Sequence, residues 1–485
     1  MSKMMTSEAP AAAIPAAMES ESVASTRGAL AGLALAMLLS SLGTSIANVA
    51  LPTLAEVLGA TFQQIQWVVL AYLLAVTSLI VGVGRLGDLV GRRRLFLAGI
   101  VLFTTASAWS GAVSTLGWLV MARALQGLGA AAMMALSMAF VGEIVPKTRT
   151  GRAMGLLGTT SAIGTALGPS LGGLLIAQVG WRAIFLSNVP LGIFAFLLAR
   201  RHLPADARPA PTGRASFDGL GTLLMAFALA TYALAMTSAR GGRFGSLNLV
   251  LLTIAGGLVG AFAWIEARVR FPLIRLAVFR EAHLRTGFIT TGLVSTVLMT
   301  TLTVGPFYLS RGLGLGAGTV GVVLSIGPLV AAVMGLPAGQ MVDRLGAGRV
   351  GGIGLAAIAT GTLTLALFGA PGVTHYVVPI VTITFGYALF QTANNTAVLR
   401  DVPSDQRGVI SGMLNLSRNL GLITGTSVMG AVFAFAAKTR DVATAAPEAV
   451  AVGMRVTFGV AAVLIGIAPS LAAGARPGNS EARKP

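Results

Sequence analysis

The chain contains no cysteine, which removes disulfides, thiolate catalysis and cysteine-bound metals from consideration. Charge is scarce too: only 10% of its 485 residues are Asp, Glu, Lys or Arg, against about 25% in a soluble domain. Acid is the scarcer sign, with 16 Asp and Glu beside 34 Lys and Arg. The three histidines, His202, His283 and His375, stand apart in or beside loops, so no metal site is expected. There is no Gly-Lys-Ser/Thr phosphate loop, which argues against direct use of ATP. No nucleophile and base cluster within the apolar blocks, so the chain is not expected to be an enzyme, and no cofactor is implied.

What the sequence has is apolar length. Hydrophobic residues make up 55% of the chain, and they fall in blocks close to the ~20 residues that cross a bilayer core. Cutting at charged, Pro-rich and Gly-rich breaks predicts fourteen spanning helices, the first near 29–51 and the last near 451–473. An even number puts both termini on one side. With the N-terminus in the cytoplasm, the great majority of Lys and Arg fall in cytoplasmic loops and tails, as the positive-inside rule requires. The net charge of +18 is therefore a mark of topology, and no nucleic-acid partner is expected. Residues 1–28, rich in Ala, Ser and Glu, lack a signal-peptide core and are expected to be a disordered cytoplasmic tail.

Two loops far apart in sequence share one pattern. Gly84, Asp88, Gly91 and Arg94 repeat in spacing as Gly339, Asp343, Gly346 and Arg349, and Gly151/Gly155 repeat as Gly408/Gly412. Parallel order at a nearly constant offset predicts a duplicated bundle with binding at the interface of its halves. The expected organisation is a six-helix bundle over 29–201, linkers with two extra helices over 202–285, a second six-helix bundle over 286–473 and a tail over 474–485. The linker around Phe271–Phe279 is read either as a helix lying on the membrane surface or as an ordinary basic loop.

The loop from Gly84 to Arg94, including Arg92, resembles the signature between the second and third helices of the major facilitator superfamily. The resemblance implies a conformational latch, shared in the second half by Asp343 and Arg344. Arg123, Gln126 and Gly127 share a helix face and resemble the superfamily's fourth-helix motif, in which the matching Arg is associated with proton coupling. An Arg held by backbone carbonyls for structural reasons is the alternative. Gly155, Gly164, Gly168, Pro169, Gly172 and Gly173 resemble the antiporter motif, which implies export. The same glycines also suit close helix packing. The segments Thr44–Pro52 and Trp181–Gly192, with the two extra helices, resemble the 14-span drug:proton antiporter family. That resemblance implies an all-α polytopic membrane protein of the major facilitator fold. It further implies a monomer in the cytoplasmic membrane that exports drug-like compounds against protons.

The sequence departs from that family at Gly43, where many relatives carry an acid. No acid is left at mid-membrane depth; Glu143 and Glu266, at span ends, come nearest. The buried polarity is neutral or basic: Ser41, Ser45 and Asn48, then Gln391, Asn394 and Asn395, then Asn415 and Arg418. These residues are expected either to line a substrate cavity or to bond neighbouring helices. With Arg123 they suit neutral or anionic solutes as well as cations. An exporter of such metabolites, or a transport-inactive membrane sensor, remains open at this point.

Overall fold

The computed structural model describes residues 16–145, 150–206, 218–238, 245–269, 281–367, 372–400, 402, 407–438 and 445–473. Among the described residues fourteen helical stretches are long and apolar enough to cross a membrane, some of them only together with the short helices that adjoin them. Their main helices are α1 (Ala16–Val57), α2 (Trp67–Val90), α3 (Arg92–Ala112), α4 (Leu116–Ile144), α5 (Thr150–Gln178), α6 (Asn188–His202) and α7 (Gly219–Thr237). They continue with α8 (Ser246–Glu266), α9 (Ala282–Phe307), α10 (Ala317–Leu345), α11 (Ala347–Leu367), α12 (Val373–Arg400), α13 (Arg407–Thr424) and α14 (Pro447–Ala473). One-turn helices, Phe62–Ile65 and Ala183–Leu186, lead into α2 and α6. α9 and α13 run on through π-helical turns, Tyr308–Gly312 and Gly425–Met429. In lipid each span must satisfy its own backbone, and only such helices, or a closed barrel, can do so.

α1 begins at Ala16, so helix already covers residues 16–28 of the segment expected to be a tail. The segment is built from good helix formers such as Ala, Met and Glu. It abuts a spanning helix that has already met the cost of nucleation, so extending that helix is cheap. Residues 1–15, most of the linker 202–216 and the whole Phe271–Phe279 segment lie outside the described residues.

The helix pairing repeats between the halves. α1 packs on α5 as α9 packs on α13, and α4 packs on α2 and α3 as α12 packs on α10 and α11. The contacts between halves follow the same relation, because α5 meets α10 and α2 meets α13. α7 and α8 pack on each other as a peripheral hairpin. α7 touches both halves: Trp67 Nε1 donates to Thr237 Oγ1 at 3.1 Å and Tyr232 Oη donates to Thr424 Oγ1 at 3.2 Å. Large apolar side chains such as Leu247, Val250, Ile254 and Val259 on α8 stay exposed, as a lipid-facing helix demands.

We call the face at which α1 begins and α14 ends the first face, and the opposite one the far face. Several contacts join the two six-helix groups near the far face. Glu56 pairs with Arg311. Gln66 Nε2 donates to the Thr426 carbonyl at 2.8 Å. Phe62 stacks edge-on against Phe307 and Phe433, with centroids 4.8 and 5.4 Å apart. Gly173 of α5 lies so close to α10 that a Cβ there would come within 2.6 Å of the Ala317 carbonyl.

Candidate functional site

The repeated loop at the first face begins with backbone geometry. Gly91 and Gly346, the repeated glycines, have φ of +105° and +83° and separate α2 from α3 and α10 from α11. A residue with a Cβ is strained in that region, so the duplicated pattern marks two places where the chain must turn sharply between antiparallel helices. In the first half Asp206, just past α6, accepts hydrogen bonds from the Arg93 and Arg94 backbone N–H groups at 2.7 and 3.2 Å. A carboxylate there meets the positive end of the α3 dipole. Arg92 pairs with Glu143 at the end of α4, and the Arg93 guanidinium donates to the Arg200 carbonyl. In this half α3, α4 and α6 are thus tied together. Asp343 and Arg344 of the second half are exposed. Gly84 and Asp88 lie within α2, and their surroundings are outside the described side chains. Asp206 carried no sequence signal, since it sits alone in a polar connector.

Arg123 is the largest fully buried side chain. Its Nε donates to the Val68 carbonyl at 2.9 Å, one guanidinium N–H to the Gly43 carbonyl at 2.9 Å and another to Gln126 Oε1 at 2.5 Å. Gln126 Nε2 donates onward to Ser107 Oγ at 2.7 Å. The guanidinium carbon stands 4.4 Å from the centre of the Tyr72 ring, whose hydroxyl donates to the Ser40 carbonyl at 2.7 Å. α1, α2, α3 and α4 all meet on this cation. A side chain at Gly43 would come 3.2 Å from the Phe103 ring and 3.3 Å from the Tyr72 hydroxyl, so those two residues fill the place where an acid would stand. Glu143 lies apart from this network, with 41% of its side chain exposed in its pair with Arg92.

The antiporter-like glycines divide between two seams. Gly164, Gly168 and Gly172 face α1: a Cβ would come 2.5 Å from the Leu38 carbonyl, 2.7 Å from Ser45 Cβ and 2.8 Å from Val49 Cγ1 respectively. Pro169, through its carbonyl, and Gly173 face Gly321 of α10 in the other half. Gly155 lies in α5 with its surroundings outside the described side chains.

Among the polar residues expected to line a cavity, several are packed between helices. Ser45 Oγ bonds backbone carbonyls, including Gly164 at 3.3 Å, and Ser41 meets Ser161 at 2.6 Å. Asn48 is buried and donates to the Thr44 carbonyl at 3.1 Å. Asn394 bridges to α9 through the Gly287 carbonyl at 3.2 Å and Thr291 at 2.8 Å. Gln391, Asn395, Asn415 and Arg418 are half-buried. At the first-face end of the hairpin, Asp218 and Glu266 are 8% and 3% exposed, and a Cβ on Gly221 would lie 2.9 Å from carboxyl atoms of both. Asp218 gave no sequence signal beyond its capping position.

The Major Facilitator Superfamily profile matches residues 33–426. The chain belongs to the Major Facilitator Superfamily. Among relatives of this facilitator, the riboflavin transporter RibZ of Clostridioides difficile is 30% identical over 83% of the chain and 87% of its own length. The multidrug resistance protein Stp of Mycobacterium tuberculosis is 31% identical over 83% of the chain and 74% of its own. Among solved structures, an inward-facing, occupied bacterial homologue of the lysosomal transporter Spinster superposes with a TM-score of 0.67. It is 14% identical, and the match covers 94% of the chain and 98% of that structure; at that identity the likeness shows the fold. The chain is a membrane transporter, not an enzyme, and small molecules are its cargo.

Proposed function

We propose that this facilitator exports small hydrophobic, drug-like compounds across the cytoplasmic membrane by alternating access, as a monomer with both termini in the cytoplasm. The observation that carries the reading is where the two six-helix groups are joined. The Glu56–Arg311 pair, the Gln66–Thr426 hydrogen bond and the Phe62 cluster all sit near the far face. The ties of the first-face latch, Arg92–Glu143 and Asp206 with Arg93 and Arg94, stay inside one half. Such an arrangement suits a state closed to the outside, from which rocking about the shared seams opens the other side. The positive-inside distribution supports a cytoplasmic first face. Likeness to Stp and the antiporter-like glycines favour export of drugs.

The proton gradient is the proposed energy source, with Arg123, Gln126 and Glu143 as the candidate coupling groups. Gln391, Asn395, Asn415 and Arg418 are the candidate substrate contacts. An exporter of neutral or anionic metabolites is a second reading. It is favoured by the lack, among the described residues, of any carboxylate at mid-membrane depth, and likeness to RibZ is consistent with it.

The test uses purified protein in proteoliposomes with an imposed pH gradient and a panel of cationic, neutral and anionic hydrophobic compounds. Gradient-driven flux of at least one compound supports the proposal. Flux that ignores the gradient removes proton coupling and leaves a uniporter or another driving ion. No flux of any panel member, in protein shown to be folded, overturns drug export.

A further inference from the structure

The basic side chains placed within the spans have different fates. Arg123 is saturated by carbonyls, an amide and a ring. Arg455, near the far-face end of α14, is exposed and donates to the Ala366 carbonyl at 3.3 Å. Arg418 differs from both. It is half-buried, and among the described residues it has neither an ion pair nor a hydrogen bond. It stands six residues inside the span Gly412–Ala436, about 9 Å along the helix at 1.5 Å per residue, and so within the hydrocarbon layer rather than at its edge.

The packing of α13 fixes where that guanidinium looks. Gly421 and Gly425 press on α9, where a Cβ would come 2.7 Å from the Ser295 and Met299 side chains. Thr424 meets Tyr232 of α7, and the Thr426 carbonyl meets Gln66 at the start of α2. In helical projection, at ~100° per residue, Arg418 falls between the α9 seam and the α2 contact, in one sector with Asn415 and Leu422. α1 of the first half touches both α9 and α2. That sector of α13 is therefore turned toward α1 of the first half.

A guanidinium at this depth is costly unless something meets its charge. The acids nearest the spans stand elsewhere: Glu143 pairs with Arg92, Glu56 pairs with Arg311, and Asp218 and Glu266 lie at the first-face end of the peripheral hairpin, where Asp218 accepts from the Gly221 N–H. Gln391 and Asn395, one turn apart on α12, are half-buried and have no hydrogen bond among the described residues. A planar fork of donors with idle amides on a nearby helix suits an oxyanion, which a guanidinium binds in two parallel hydrogen bonds.

We infer that Arg418 is an anion-binding residue of the transport pathway, and that the compound carried is an amphipathic organic anion with a carboxylate or similar oxyanion on a hydrophobic body. This rests on the exporter reading and narrows its substrate class. It also gives the scarcity of internal acid a purpose, since an acid facing Arg418 would satisfy the cation and repel the cargo. An inside-negative membrane potential drives such an anion outward, which adds to any proton gradient.

The test compares three probes of one shape: 2-naphthoate, 2-naphthamide and 2-naphthylmethylammonium. Binding is measured calorimetrically on the full chain in neutral detergent, and flux in phosphatidylcholine vesicles, where no anionic headgroup competes. Naphthoate is expected to bind at least about tenfold more tightly than the amide. Arg418→Gln should abolish that preference by weakening naphthoate far more than the amide, and Arg418→Lys should retain part of it. If Arg418→Gln does not fold, Arg418→Lys carries the test through an intermediate loss confined to naphthoate. Equal binding of naphthoate and amide by the unmodified protein, or a preference that survives both substitutions, overturns the inference. Naphthoate bound through Arg418 but not carried leaves the anion site standing and counts against export. Carriage without charge preference does the reverse.

Discussion

At the scale of single residues, Arg123 is the position where a charge role and a packing role make opposite predictions. Its three directed hydrogen bonds reach α1, α2 and its own helix, and a guanidinium fork supplies that geometry where an ammonium does not. If the fork is what matters, Arg123→Lys should lower stability by about 2–4 kcal/mol, nearly as much as Arg123→Ala, because buried acceptors lose donors and the remaining charge is poorly matched. Thermal melts in detergent beside flux assays check this. A lysine variant that melts normally and keeps gradient-driven flux would return the weight to charge. The exposed Arg92–Glu143 pair is the contrast: Glu143→Gln should cost under about 1 kcal/mol. The sequence made Arg123 conspicuous, since an Arg in an apolar span needs an explanation. Its partners were not legible, because backbone carbonyls of Val68 and Gly43 leave no mark in side-chain identity.

At the scale of helices, the spans and their number were legible because hydrophobic length is written directly in composition. The α5 glycine repeat was legible as a packing stripe for the same periodic reason. Its division between α1 and α10 was not, since the ~100° that separates Gly172 from Gly173 decides the neighbour only after the bundles are placed. Ser45 and Asn48 show the limit from the other side: polarity within a span is equally served by a cavity or by helix backbone, and here Ser45 reaches the Gly164 carbonyl of α5 while Asn48 donates to the Thr44 carbonyl of its own helix. The seam yields a controlled prediction on one helix. Gly168→Ala would drive a methyl into Ser45 and should cost about 1–3 kcal/mol by forcing α1 and α5 apart. Gly158→Ala meets no atom within 4 Å and should be neutral or stabilising by about 0.5–1 kcal/mol. Melting temperatures of the two variants decide it, and equal effects would mean that α1 and α5 are not in fixed contact.

At the scale of the whole molecule, the Glu56–Arg311 pair bears on the balance between states, because it joins α1 to the end of α9 across the halves. It lines a cavity of about 200 Å³ with Val49, Pro52, Thr53 and Val320, so water reaches it and its contribution is that of a partly exposed pair, about 1 kcal/mol or less. Gln66 and the Phe62 cluster share the closure, so Glu56→Gln is expected to leave the protein folded. A loss of ~1 kcal/mol from one state alone nonetheless changes the ratio of two states about fivefold. The absence of cysteine makes this measurable directly, since any introduced thiol is the only one present. Val320 is 1% exposed beside the pair, so in Val320→Cys a membrane-impermeant maleimide added from the far face should react slowly. Glu56→Gln or Arg311→Gln added to that variant should speed labelling several-fold, and the two together should do no more than either alone, because both remove one interaction. Unchanged labelling in all three would mean that the aromatic cluster and the Gly173–Gly321 seam hold the far face shut without the ion pair. The gate would then be a matter of packing, with little sensitivity to salt.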